Sequence, residues 1–167
     1  MGVQTLPPSR RAFLRSAAVL PFGLLAGCGT PKIKPSGDGS DQTEATLGYV
    51  NALRKDRGLD PLTRDPAAAQ AALSQAARMA KAGKMSHLIG LGDSFLSRMK
   101  GDGVALPAAE NIAMGQETAE RAYLAWYNSP KHLENMLGSN YTGLGVAVMR
   151  NPASGNQPFW AMVLSTG

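Results

Sequence analysis

The chain has a single cysteine among its 167 residues, at position 28. Everything after Cys28 must therefore fold on its core alone, with no disulfide and no CxxC pair to serve redox or zinc chemistry. Aromatic residues make up 6% of the chain, and histidine occurs twice, at His87 and His132. Neither histidine sits in an HExxH or comparable short metal signature, and there is no G-x-S-x-G nucleophile turn. A glycine-rich loop between a strand and a helix, able to cradle phosphate, is also missing. Acidic residues are absent before Cys28, whereas Arg10, Arg11 and Arg15 lie there. Without those three arginines the net charge falls from +5 to +2, and Lys32 and Lys34 fall in a linker. From Asp41 onward twelve basic residues face eleven acidic ones. No basic stripe remains, which argues against a nucleic-acid partner.

What is present begins with an address. Ser9–Arg15 (SRRAFLR) is a charged segment followed by the apolar run Ser16–Gly27 (SAAVLPFGLLAG). Twelve residues are too few to span a bilayer, which takes about 20, so the run reads as the core of a signal peptide over residues 1–27. Arg10 and Arg11, with Phe13 and Leu14 behind them, resemble a twin-arginine export signal. The run ends LAGC at Leu25–Cys28, which resembles a bacterial lipobox. Cys28 would then become the lipid-modified first residue after cleavage, and its acyl chains would be the membrane partner. Residues 28–42, rich in Gly, Pro, Ser and charge, read as a flexible tether. Gly29 after the cysteine suits the periplasmic face of an outer membrane, if the cell has two membranes. The expected location is thus the cell envelope.

Residues 43–167 carry the periodicity of one domain. Asp41-Gln-Thr-Glu44 has the spacing of a capping box before Leu47, Val50 and Leu53, and Gly58 can end that helix. Asp65-Pro66 opens an alanine-rich helix running to Gly83. Ser86–Gly92 reads as loop, and Asp93 as the cap of a short helix. Leu106–Gly115 (LPAAENIAMG) is too broken for a long element. Thr118 caps a helix bearing Ala122, Tyr123 and Trp126. Ser129 and Pro130 then start a helix that places His132 in its first turn, where the positive helix end disfavours imidazolium. Leu144, Val146 and Val148 alternate with Gly143, Gly145 and Ala147, marking a strand with one bulky and one close-packed face. Phe159–Leu164 is a second strand. Helices first and a terminal hairpin indicate an α+β domain, either segregated or a three-layer sandwich.

Glu110 is the most unusual candidate for chemistry. It lies among small and apolar residues, where a carboxylate would favour a cationic or metal partner. Ser129, three residues before His132, is read as a cap and not as a nucleophile. Spacing alone does not bring Glu110 to either histidine.

The ordered motifs NALRKDRGLDPL (Asn51–Leu62), the His87 segment, AENIA (Ala109–Ala113), WYNSPKHLENML (Trp126–Leu137), YTGLGVAV (Tyr141–Val148) and FWAMVL (Phe159–Leu164) together resemble the bacterial branch of the CAP superfamily, or SCP-like domains. Relatives include cysteine-rich secretory proteins, antigen 5 and pathogenesis-related proteins. The resemblance covers roughly Thr43 to Ser165. It implies a three-layer α-β-α sandwich with a central antiparallel sheet, and more strand than periodicity finds, including the region around Asn111–Met114. It also implies a central ligand cleft, to which His87, Glu110 and His132 carry over. The family's fourth polar group is usually the Glu of a Trp-x-x-Glu pattern. Here Trp126 is followed by Tyr127, Asn128 and Ser129, so one carboxylate is missing.

Three functions follow from that resemblance. The first is a noncatalytic module that binds a small lipid or sterol, a cell-wall component or a protein partner. The second is a metal-assisted hydrolase, with His87 and His132 holding a divalent metal such as zinc and Glu110 as ligand or general base, the one catalytic candidate. The third is a structural envelope protein with a vestigial cleft, in which a His–Glu hydrogen bond merely satisfies buried polar groups.

Overall fold

The computed structural model describes residues 1–3 and 38–167. Arg10, Arg11, Cys28 and most of the expected tether lie outside the described residues. In chain order the elements are β1 (Asp38–Asp41), α1 (Thr43–Asp56), β2 (Thr63–Arg64), α2 (Pro66–Ala82), α3 (Phe95–Gly101), β3 (Ala109–Met114), α4 (Ala119–Tyr127), α5 (Pro130–Met136), β4 (Gly143–Arg150) and β5 (Pro158–Ser165). The last residues assigned to the tether are in fact β1, which pairs antiparallel with β4. The folded body thus starts before residue 43. Among the described residues no helix is long and apolar enough to cross a membrane.

The sheet runs β1-β4-β5-β3, antiparallel throughout, with short β2 added in parallel at the start of β4. Strand β3 is the element that periodicity misses. All five residues from Ala109 to Ala113 are buried, so no in-out alternation of polarity marks it. Its register against β5 runs from Ala109↔Leu164 to Met114↔Phe159.

Alternate residues of each strand feed two separate cores. Ala147 and Met149 of β4, Phe159, Ala161 and Val163 of β5, and Ile112 of β3 pack against the alanine face of α2 and Met99 of α3. Leu144, Val146, Trp160, Met162, Leu164, Ala109 and Ala113 point the other way, onto Val50, Leu53, Ala122, Trp126 and Met136 of α1, α4 and α5. This is the expected three-layer α-β-α sandwich around an antiparallel sheet. Gly145 permits it: a Cβ there would overlap the backbone of Ala68 and Ala69, so α2 lies directly on β4.

Several helix ends follow the sequence and others do not. Asp65 accepts from the N–H groups of Ala67 and Ala68 at 2.8 and 3.3 Å, and Gly83 closes α2 in the left-handed conformation. Thr118 caps α4 through the N–H of Arg121 at 3.2 Å. The Asp41–Glu44 capping box does not form. Asp41 is still in a strand, accepts from the Thr43 N–H at 2.8 Å and pairs with Arg64, leaving Gln42 at the cap position. Ser94, not Asp93, caps α3, because Asp93 is drawn inward by two arginines. Ser129 occupies the cap position of α5, but its hydroxyl makes no capping bond.

Candidate functional site

The site is built around Glu110, whose side chain is only 2% exposed. As the second residue of β3 it points toward the α2–α3 layer, opposite to its neighbours Ala109 and Asn111. His87, on the loop after α2, meets it with Nδ1 at 2.9 Å from Oε1. Arg98 of α3 donates to both carboxylate oxygens, Nη1 to Oε2 at 2.9 Å and Nη2 to Oε1 at 3.1 Å. With the carboxylate already accepting from a guanidinium, the His87 Nδ1–H is the donor in the third bond. The imidazole itself is half exposed.

Arg98 is also the link to a second buried carboxylate. Its Nε lies 3.4 Å from Asp93 Oδ1, an ion-pair contact without hydrogen-bond geometry. Asp93 Oδ2 takes a 2.5 Å bond from Arg78 and a 2.6 Å bond from the Ile89 N–H. Burial alone would raise the Asp93 pKa. Its bonds from Arg78 and Ile89, and the charges of Arg78 and Arg98, instead hold it below the usual carboxylate value. Two guanidiniums and two carboxylates thus balance beneath the loop. The loop backbone is held from below as well. Gln75 donates to the carbonyls of Ser86 and His87, Arg98 to that of His87, and Arg78 to that of Ile89.

The other side of β3 carries His132. Asn111, fully buried, donates to the His132 carbonyl at 3.0 Å and accepts from Asn135 at 2.8 Å, clamping α5 to the strand. Adjacent residues of one strand therefore serve opposite faces: Glu110 holds the His87 loop and Asn111 holds the His132 helix. Burial, followed by the charge of His87, lowers the His132 pKa from its ordinary value. The two rings are thus electrostatic neighbours around the sheet edge. Beside His132 is an open groove of about 200 Å³ lined by Met85, Ile112, Ala113, Met114, Gln116, Ala125, Trp126, Ser129 and His132. Among the described residues, Trp126 Nε1 and Gln116 Oε1 have no hydrogen-bond partner. Both residues border the groove.

Of the three expected cleft residues, His87 and Glu110 are in direct contact, and His132 lines the groove. The donor set does not suit a metal ion. Both Glu110 oxygens are occupied, a guanidinium stands where a cation would approach, and no group of three or more His, Cys, Asp or Glu among the described residues is placed to hold one. Arg98 is the functional residue that the sequence did not reveal. Its helical position carries no motif, and the only signal was the need of Glu110 for a cation. Ser129 lines the groove at the position of the absent fourth carboxylate.

The sequence profile of the cysteine-rich secretory protein family (CAP) matches residues 47–164. The chain belongs to this family. CAP relatives with curated sequences include the uncharacterized protein YkwD of Bacillus subtilis, 34% identical over 111 residues, or 66% of this chain and 43% of that protein. The uncharacterized membrane protein YlbC of the same organism is 32% identical over 62% of this chain and 30% of its own length. The chain thus spans less than half of either relative. Among solved CAP folds, an outer surface protein of Borrelia burgdorferi superposes with a TM-score of 0.66 at 21% identity, covering 78% of this chain and 98% of that one. An extracellular SCP-domain protein of Bacillus anthracis gives 0.66 at 24%, covering 75% and 40%. At those identities the likeness is one of fold.

Proposed function

We propose that this CAP domain is a noncatalytic binding module of the cell envelope, whose groove beside His132 takes one apolar group of a larger partner, a cell-wall peptide or a protein. The observation that carries this reading is the triple engagement of Glu110 by Arg98 and His87. A general base must present a free oxygen to water within hydrogen-bond reach. Here three of about four lone-pair sites are already taken and the charge is paired with a guanidinium, which weakens Glu110 as a base and counts against the hydrolase reading. The groove is smaller than the 300 Å³ or so at which sites begin to enclose drug-sized ligands. That size favours a single inserted side chain over a whole sterol.

Export directed by Arg10 and Arg11, and acylation of Cys28, belong to the same proposal. The extracellular and outer-surface descriptions of its structural neighbours support export. Replacing Cys28 by Ser should move the protein from the membrane to the soluble fraction.

Binding is tested by titrating cell-wall peptide fragments, and separately a panel of envelope protein extracts, into methyl-labelled protein. Shifts should concentrate on Met85, Ile112 and Met114 and vanish in Ala125→Phe, which fills the groove. Turnover of a peptide or ester, abolished by Glu110→Gln in a folded variant, would instead establish the hydrolase.

A further inference from the structure

The loop that carries His87 turns an apolar surface outward. Met85, Leu88, Leu91 and Leu96 are all exposed, with Leu91 fully so. Ile89 and Phe95, between them in sequence, pack inward against the core. The outward residues are not the product of a loose segment. The carbonyls of Ser86, His87 and Ile89 and the N–H of Ile89 are all bound by buried side chains from below. The loop is thus held rigidly while it shows its leucines to solvent. A soluble surface gains nothing from such a display, and clustered exposed apolar side chains mark an interaction surface.

The charges beside it specify the partner. Between Lys81 and Gly101 the exposed ionic residues are Lys81, Lys84 and Lys100. Of the acidic residues in and beside that stretch, the Asp93 side chain is buried and bound to arginine, and Asp102, just past Lys100, is half-buried. Exposed apolar side chains and lysines in one stretch, with its carboxylates withdrawn from the surface, match an anionic lipid interface. The leucines enter the acyl boundary, and the ammonium groups meet the phosphates.

We propose that the Met85–Leu96 segment, the loop and the first turn of α3, docks on the surface of anionic membranes, as a contact separate from any acyl anchor at Cys28. Leu88, Leu91 and Leu96 insert, and Lys81, Lys84 and Lys100 supply the preference for negative headgroups. Met85 belongs to both this surface and the groove, so docking would bring the groove to the headgroup level.

The test uses the full chain carrying Cys28→Ser, so that no acyl chain contributes, together with Leu91→Trp as an insertion probe. Both native tryptophans are buried, and their emission forms a constant background. With vesicles of phosphatidylglycerol and phosphatidylcholine, the introduced indole should shift to the blue and be quenched by brominated acyl chains. Changing Lys81, Lys84 and Lys100 to Gln should weaken vesicle binding by roughly fivefold per lysine at low salt. Leu88→Ser with Leu96→Ser should weaken it by roughly tenfold or more. Vesicles that bind the protein without quenching the indole would overturn the proposal, since another part of the chain would be the contact. Equal insertion into pure phosphatidylcholine would also overturn it. A blue shift that appears without vesicles, as concentration and mass rise together, would assign the loop to a second copy instead.

Discussion

Arg98 grips Glu110 end-on, with one guanidinium nitrogen 2.9 Å from Oε2 and the other 3.1 Å from Oε1. Neither side chain is free to leave. Glu110 is 2% exposed and Arg98 13%, and of the neighbouring ionic partners the Asp93 side chain is buried and Arg78 half-buried. Removing the cation from such a group leaves Glu110, among the described residues, with His87 as its one remaining partner in a poorly solvated site. Breaking a buried pair from one side costs about 3–5 kcal/mol. Arg98→Met should lose about that much in urea denaturation. Arg98→Met with Glu110→Met should lose less than the two single changes combined, by at least about 1 kcal/mol. A cost for Arg98→Met below about 1 kcal/mol would class the contact with exposed ion pairs and remove the argument that Glu110 is locked.

The same grip decides how the protein meets zinc. Both Glu110 oxygens already accept hydrogen bonds, and the His87 Nδ1 nearest to it is already a donor. Calorimetric titration of the metal-free protein should show zinc bound no more tightly than to a His87→Ala, His132→Ala double variant. Tight binding that is lost in the double variant would mean that Glu110 exchanges Arg98 for the metal.

How much of this was legible in the sequence depends on the kind of signal. The α2 helix was readable because Asp65, Pro66 and Gly83 punctuate a continuous alanine face. Strand β4 was readable because bulky and small residues alternate. Strand β3 was not, since burial on both faces erases alternation, and only the AENIA motif pointed to it. The pairing of His87 with Glu110 came through resemblance, but its third member, Arg98, lies in no motif. Arg54 is a similar case. It is fully buried and donates to the carbonyls of Asp60, Met136, Gly138 and Tyr141. A sequence shows that such an arginine exists, but not which distant carbonyls will surround it. The caps at Asp41 and Asp93 failed for a related reason. Each carboxylate had a local use and was taken by an arginine brought in by the fold.

Gly145 should be among the least replaceable residues of the sheet. A methyl group there would meet backbone atoms of Ala68 and Ala69, which cannot rotate away as a side chain could. Gly145→Ala should therefore lose at least about 2 kcal/mol, at the upper end of overpacking costs. Gly48, in α1, is the internal control because nothing lies within 4 Å of its added Cβ. Gly48→Ala should gain about 0.5–1 kcal/mol from helix propensity. Two thermal or urea curves decide the matter. Similar effects at both positions would mean that α2 can move off β4.

His132 gives the site a pH signature. Burial, and then the charge of His87, lower its pKa, so the folded protein resists protonating the ring. Above the unfolded value of about 6.5 both states hold a neutral imidazole, and the stabilisation is fully present. As pH falls below that value the unfolded chain takes up a proton that the folded chain does not. Stability then declines until the folded pKa is reached. His132→Gln should flatten the stability profile between about pH 6.5 and the folded pKa. The Asn111 clamp would survive, because it holds only the His132 backbone. NMR titration separates the two causes. Replacing His87 by Gln removes the charge but not the burial, so the His132 ring should titrate at a higher pH than in the unaltered protein and still below the ordinary value. No movement at all would show that the two histidines do not sense each other, and the electrostatic link around the β3 edge would be lost.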